Sequence, residues 1–190
     1  MQSPYCFIIE PVGGKRYSNT KEFDGHELIV SSSKEDHTTT NRKAVVLAVP
    51  LYYNGPIEPG DTVIVHHNVF RLYYDMKGIE KSSWSFLRDN TFLLSQEELF
   101  LYKKPNGEWT APAPYCFVEP VKAKEKEILD GEIHEALIGT MIYKNSDQDN
   151  VQVGDQVVFS PDTEYEFKID GRLLYRMRTQ NICLVKEKKY

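Results

Sequence analysis

Several groups of residues in this 190-residue chain are of types that can do chemistry. Gly13-Gly14-Lys15-Arg16 sets two glycines beside two cations, a combination suited to wrapping a phosphate. A phosphate loop, however, needs the G-x-x-x-x-G-K-[ST] spacing, in which backbone N–H groups cradle the anion and the lysine reaches it. That spacing is absent, so the segment reads as a plain flexible loop. His66-His67 offers two imidazoles on a predicted strand, where neighbours point to opposite faces and cannot share one metal. With no third ligand at a suitable spacing, no metal site is expected. Cys6, Cys116 and Cys183 are odd in number and form no C-x-x-C pair, so they are expected to be small buried hydrophobes rather than a disulfide framework or zinc site. No catalytic constellation and no cofactor motif emerges, and the chain is not expected to be an enzyme.

The pairs Tyr52-Tyr53 and Tyr73-Tyr74 could stack single-stranded bases. Such a surface needs a basic groove, whereas 28 acidic against 23 basic residues give a net charge of −5 and neither pair lies in a cationic stretch. The tyrosines are therefore expected in the core or at a subunit interface, and no nucleic-acid partner is expected. No apolar run approaches the ~18 residues that span a bilayer. Met1-Gln2-Ser3-Pro4 lacks the basic start and apolar stretch of a signal peptide. A cytoplasmic protein with no membrane partner is expected.

The elements that position these residues are organised by a repeat. Pro4-Tyr5-Cys6-Phe7 recurs as Pro114-Tyr115-Cys116-Phe117, and Glu10-Pro11-Val12 as Glu119-Pro120-Val121. Gly60-Asp61-Thr62-Val63 recurs as Gly154-Asp155-Gln156-Val157, and the run from Leu99 to Lys103 as that from Ile182 to Lys186. The offset falls from 109 to 94 and then to 83, so the first copy is longer by 15 residues before Gly60 and by 11 between Asp61 and Leu99. This arrangement predicts a tandem duplication: a first domain over 1–104, a Pro-rich linker over 105–113 and a second domain over 114–190, Cys6 and Cys116 being equivalent.

Short β-branched runs bounded by turn residues predict strands over 44–49 and 62–65, with Pro59-Gly60 in a type II turn. In the segment Tyr165 to Met177, parity favours a three-residue loop of Ile169, Asp170 and Gly171, which pairs Tyr165 with Tyr175 and Phe167 with Leu173. No long amphipathic helix is evident; Ser95-Gln96-Glu97-Glu98 is at most one serine-capped turn. The expected fold is all-β, two small barrels of about five to seven short strands each.

The extra 15 residues of the first copy fall in a long loop over 13–43, which mixes six basic with five acidic residues among many serines and threonines. Such a stretch buries too little apolar surface to offset the cost of ordering it. Inside it, an Asp24-Gly25 turn precedes the apolar tripeptide Leu28-Ile29-Val30. This tripeptide suits a hydrophobic groove on a partner; a hairpin folded back on the domain, burying Leu28 and Val30 locally, is the competing reading.

The loop with Leu28-Ile29-Val30, its Ser/Thr-rich arm, the strand Val45-Val46-Leu47-Ala48-Val49 and the Gly-Asp-x-Val turn resemble the GroES co-chaperonin family. Val151-Gln152-Val153-Gly154-Asp155-Gln156-Val157-Val158-Phe159, the Ile169-Asp170-Gly171 hairpin and Asn181-Ile182-Cys183-Leu184-Val185 extend the likeness to the second copy. The resemblance implies two tandem GroES-like barrels, the first with a mobile loop. It also implies a homo-oligomeric ring that caps an ATP-bound, GroEL-like chaperonin, with Leu28, Ile29 and Val30 entering a groove of the apical domains. The hairpins over 70–92 and 165–177 would be its roof elements. The second copy departs from the pattern: its segment 122–137 keeps an Asp130-Gly131 turn and Ile133 but no Ser/Thr-rich arm. A ring of two-domain chains also holds an even number of copies, against the family's usual seven. The GroES-like fold occurs in zinc-dependent alcohol dehydrogenases as well, but their cysteine ligands and a G-x-G-x-x-G motif are missing. The alternative expectation is a GroES-like structural or binding module in another assembly, such as a scaffold or particle component.

Overall fold

Apolar side chains recurring at every second position place the strands. The computed structural model describes residues 2–17, 20–23, 26–29, 39–122, 134–169 and 171–186. Among these no α-helix occurs, and no helix is long and apolar enough to cross a membrane. The chain divides into two units, Met1–Glu108 and Trp109–Tyr190. The first carries β1 (Phe7–Pro11), β2 (Thr20–Phe23), β3 (His26–Ile29), β4 (Lys43–Ala48), β5 (Thr62–Val65), β6 (Leu72–Tyr74), β7 (Glu80–Ser82), β8 (Phe86–Arg88), β9 (Thr91–Leu94) and β10 (Leu99–Lys103). The second carries β11 (Tyr115–Lys122), β12 (His134–Tyr143), β13 (Gln156–Phe159), β14 (Tyr165–Ile169), β15 (Arg172–Arg178) and β16 (Ile182–Lys186).

Each unit is built on a six-stranded antiparallel sheet, in the order β10-β5-β4-β1-β9-β8 and, equivalently, β16-β13-β12-β11-β15-β14. The repeat holds down to single hydrogen bonds. Gly60 N–H donates to Val46 O at 2.8 Å and Val46 N–H to Asp61 O at 2.9 Å; Gly154 and Met141, with Asp155, repeat both bonds at the same distances. In each turn the aspartate carboxylate accepts from a backbone N–H three residues back, Glu58 or Gln152, at 2.8 Å. Gly60 (φ 95°) and Gly154 (φ 93°) take the left-handed backbone that the type II turn requires. The strands and turn expected from 44–49, Pro59-Gly60 and 62–65 are therefore present.

The ladders also share their irregularities. A bulge leaves Leu47 unpaired between β1 and β4, and another leaves Ile142 unpaired between β11 and β12. A third skips Phe100 on β10, and a fourth Cys183 on β16. A bulge shifts side-chain alternation by one, which is how both Leu99 and Tyr102, three apart, reach one core. The two cores correspond: Phe7, Ile9, Val46, Val63, Val65 and Leu94 in the first stand where Cys116, Val118, Met141, Val157, Phe159 and Met177 stand in the second. The small Cys116 replaces Phe7 while Met141 and Phe159 replace valines, a volume exchange of the kind close-packed interiors tolerate.

One expectation holds in its coarser form, the all-β class, and two are corrected. Neither six-stranded sheet closes into a barrel among the described residues; β10 and β8 edge one, β16 and β14 the other. Part of the first core comes from turns instead of a further ladder, through Ile57 and, beside the 3-10 turn His67–Val69, through Val69 and Phe70. The second hairpin pairs Glu166 with Tyr175 and Phe167 with Leu174, leaving a two-residue turn rather than a three-residue loop. Phe167 and Leu174 are both buried and decide the register, while Arg176, which parity treated as polar, lays its guanidinium 3.6 Å from the Tyr115 ring centroid. Third, the cysteines are not alike. Cys116 pairs with Met177 as Phe7 pairs with Leu94, so it is equivalent to Phe7 and not to Cys6. Cys116 is buried, Cys6 half-buried and Cys183 exposed.

Two predictions follow from these contacts. Asp61 is 2% exposed and its Oδ2 also lies 3.0 Å from Lys104 Nζ, so Asp61→Ala should cost about 1–3 kcal/mol by removing both the turn bond from Glu58 N–H and the charge-assisted contact with Lys104. Asp155→Ala, whose carboxylate is only partly buried, should cost less; urea unfolding of the two variants checks the order, and an equal loss would contradict it. Burial pushes the Cys116 thiol from 9.0 up to about 12, a hydrogen bond with Thr179 offsetting part of the rise. The unfolded chain releases this proton first, so stability is full below pH 9 and falls between 9 and 12. Relative to Cys116→Ala, the native chain should lose ~1.4 kcal/mol per pH unit there; a pH-independent difference would refute this.

Candidate functional site

The loop expected over 13–43 is not structureless. Gly13 (φ 73°) and Gly14 (φ 69°) take consecutive left-handed conformations in the 3-10 turn Val12–Gly14 that follows β1. Gly13-Gly14-Lys15-Arg16 is therefore a tight structural turn and not the flexible loop expected. Further out, β2 and β3 form a two-stranded antiparallel ribbon that pairs with no other strand among the described residues. Lys21 stands opposite Leu28 and Thr20 opposite Ile29. Val30, the third residue of the expected anchor, lies outside the described residues, as do Asp130, Gly131 and Ile133 of the second copy. The expected Asp24-Gly25 turn also falls outside them.

The two ends of the loop are tied together by Asn41. Its Nδ2 donates to Val12 O at 3.1 Å and to Lys15 O at 2.9 Å, and its Oδ1 accepts from Lys43 N–H at 2.9 Å. Asn41 N–H donates to Arg16 O at 2.9 Å, and Tyr17 bridges Thr40. One amide side chain thus satisfies three backbone groups at the point where the chain leaves and re-enters the sheet.

The same neck is braced by the β6–β7 hairpin, which the second copy lacks, and by the β8–β9 hairpin, the counterpart of β14–β15. Arg16 Nη1 donates to Ser82 Oγ at 3.0 Å, and its guanidinium lies 4.7 Å and 4.9 Å from the ring centroids of Phe86 and Phe92. Burial against these rings pulls the Arg16 pKa below its ordinary value, partly offset by Tyr17 and Glu80. Leu72 N–H donates to Tyr17 Oη at 2.8 Å, and Asn90 Nδ2 to Gly14 O at 2.9 Å. The β6–β7 and β8–β9 hairpins therefore hold the root of the loop through three separate residues. Sequence reasoning missed Asn41, Arg16 and Tyr17 because, in a Ser/Thr-rich and charged stretch, each reads as solvated. The one signal was that the two length differences fall in the same copy.

The remaining candidate residues are placed as follows. His66 and His67 do not point to opposite faces: β5 ends at Val65, and the rings stack with centroids 4.2 Å apart. Their Nδ1 atoms are engaged, that of His66 by Asn68 N–H and that of His67 with Arg42. Among the described residues no group of three His, Cys, Asp or Glu side chains is arranged to hold a metal. Tyr53 packs edge-on against Phe7 at 4.8 Å between centroids, and burial raises its pKa. Tyr52, Tyr73 and Tyr74 are exposed, so only one of the four tyrosines expected in the core or an interface lies against the core. Ser95 and Glu98 form the expected capped turn, the Glu98 carboxylate accepting from Ser95 Oγ at 3.0 Å.

The chain matches no protein-family model, and no curated protein matches it.

Asn41→Ala should destabilise the first unit by about 2–3 kcal/mol, since it removes the three hydrogen bonds that this side chain makes to the backbone of Val12, Lys15 and Lys43. Hydrogen exchange at Lys43 N–H should accelerate in this variant while that of Gln152 N–H stays unchanged. Equal protection of Lys43 in variant and native chain would show that Asn41 does not hold the neck.

Proposed function

We propose that this chain is a non-enzymatic, co-chaperonin-like protein that caps a chaperonin ring in an ATP-dependent way and assists protein folding. The reading takes each sheet-based unit as a GroES-like barrel and joins several chains into a homo-oligomeric ring in the cytoplasm. Contact is made through the ribbon of the first copy, with Leu28, Ile29 and Val30 entering an apolar groove between helices of the apical domains.

The observation that supports this reading best is the rooted ribbon. Among the described residues its strands pair with each other alone, yet its neck is fixed to the sheet by Asn41 and to the neighbouring hairpins by Arg16 and Tyr17. A projecting apolar segment on a fixed root is suited to reaching a groove on a partner. One such loop makes a weak contact, since a single apolar tripeptide buries little surface against the cost of association. A ring carrying one loop per chain recovers affinity through multivalency. The sequence repeat and its duplicated Gly-Asp turns supply the second support, since a two-unit chain presents ring-forming units already joined.

The test is Leu28→Asp in the full chain. A charge at this position should abolish ATP-dependent association with a purified chaperonin ring, read by co-sedimentation, while the thermal unfolding midpoint stays within about 2 °C of the native value. Retained association would overturn the capping reading and favour the alternative, a GroES-like module serving as a scaffold or particle component.

A further inference from the structure

The sequence contains two Asn-Gly pairs, Asn54-Gly55 and Asn106-Gly107, and both lie in the first unit. Such a pair carries its own reactants. The main-chain nitrogen of the glycine attacks the asparagine side-chain amide, and the missing Cβ leaves that approach uncrowded. The structure treats the two pairs differently. Gly107 N–H donates to Lys104 O at 2.9 Å, in the turn that follows β10, so its nitrogen is engaged. Asn54 and Gly55 are exposed in the loop that leads from β4 towards the Gly60 turn. Among the described residues, Gly55 N–H has no hydrogen-bond partner. A side chain at position 55 is excluded, since a Cβ there would run into Oη and Cζ of Tyr53. That ring is held in place: it packs edge-on against Phe7 at 4.8 Å, and its Oη accepts from Ile57 N–H at 3.4 Å. The contact that seats Tyr53 on the core thus imposes the residue type that makes Asn54 reactive. The loop before the second Gly-Asp turn, Asn145 to Val153, contains no Asn-Gly pair.

We propose that Asn54 is a self-modifying site, converting to aspartate and isoaspartate through a succinimide, while Asn106 is protected. Gly55 N bonds to Asn54 Cγ, and the side-chain nitrogen leaves with the Gly55 proton as ammonia. Water then opens the ring. Cleavage at Cγ gives aspartate; cleavage at the main-chain carbonyl gives isoaspartate, whose backbone runs through the former side chain. One water enters and one ammonia leaves, with no change of oxidation state. Either product adds a negative charge. Isoaspartate also inserts a methylene into the chain between Tyr53 and Ile57, both of which are seated in or against the first core. Modification at an exposed loop therefore acts on the packing of the first unit. This site does not rest on the capping reading, and its chemistry is measured without a chaperonin.

The test incubates the full chain in mildly alkaline buffer and follows both asparagines by peptide mass mapping, with a parallel sample unfolded in urea. In the folded chain Asn54 should convert at least about fivefold faster than Asn106, the factor carried by the one hydrogen bond that attack at Gly107 must first break. In urea, where that bond is gone, the two rates should converge. Asn54→Gln, a change at an exposed side chain, should leave the unfolding midpoint of the fresh protein unchanged and abolish the modification. After incubation the native chain should unfold at a lower temperature than before, whereas the Asn54→Gln chain should keep its midpoint. An Asn54 that stays intact in the folded chain, conversion of Asn106 at an equal or greater rate, or a rate ratio that persists in urea would each overturn the proposal. So would an equal loss of midpoint in the native and Asn54→Gln chains.

Discussion

Both units depend on one small constraint, the Gly-Asp turn that closes a strand pair. Gly60 and Gly154 adopt a left-handed backbone that a side chain would strain, and the following aspartate turns its carboxylate back onto an N–H three residues earlier. The glycine N–H then reaches across to Val46 or Met141, which fixes how the two flanking strands meet. Because a one-residue slip would send every side chain to the opposite face, this turn determines which residues face each core. In the first unit it is tied further: Asp61 is buried and meets Lys104, which also pairs with Glu58 at 2.7 Å. The turn is thereby joined to the end of edge strand β10. In the second unit Asp155 makes the same turn bond from a less buried position, and an exposed pair of Arg172 with Glu119 lies elsewhere in the sheet.

From that fixed point the two copies diverge without losing register. The bulges at Leu47 and Ile142, and at Phe100 and Cys183, recur at equivalent places even though the residues differ in size and chemistry. Backbone irregularity has been retained where side-chain identity has not, since a bulge sets the inward set for the rest of its strand. Gly139 illustrates the local accommodation: a Cβ there would approach Val118 Cβ to 3.0 Å, whereas the equivalent Ala44 fits.

How far the sequence disclosed this follows from what each feature needs. The repeat, the Gly-Asp turns and the strands over 43–48 and 62–65 were legible because they rest on local patterns, glycine at a left-handed position and β-branched runs. The hairpin register failed because parity treats arginine as polar, whereas Arg176 covers an aromatic ring with its guanidinium. The Cys6–Cys116 equivalence failed because a four-residue match one step out of phase with the ladder is invisible without hydrogen bonds. The site was half legible. Leu28-Ile29-Val30 could be singled out as an apolar run in a polar stretch, but the neck could not, as most of its bonds join residues 23 to 76 positions apart.

The asymmetry between the copies bears directly on the proposed reading. A wholly disordered loop gives up conformational entropy at about 1–2 kcal/mol for every residue fixed on docking. Here the neck from Val12 to Tyr17 is already bonded to Thr40 and Asn41, and the ribbon beyond it already has a β2–β3 register. Residues ordered beforehand are not charged against binding, and each 1.4 kcal/mol so spared is a factor of ten in affinity. On the capping reading, a chain with one rooted loop per two units can therefore engage with fewer contacts per ring than one whose every unit carries an unrooted loop. The bonds from Arg16 to Ser82 and from Leu72 to Tyr17 couple the root of the ribbon to the β6–β7 hairpin, so the two segments by which the first copy exceeds the second support one another.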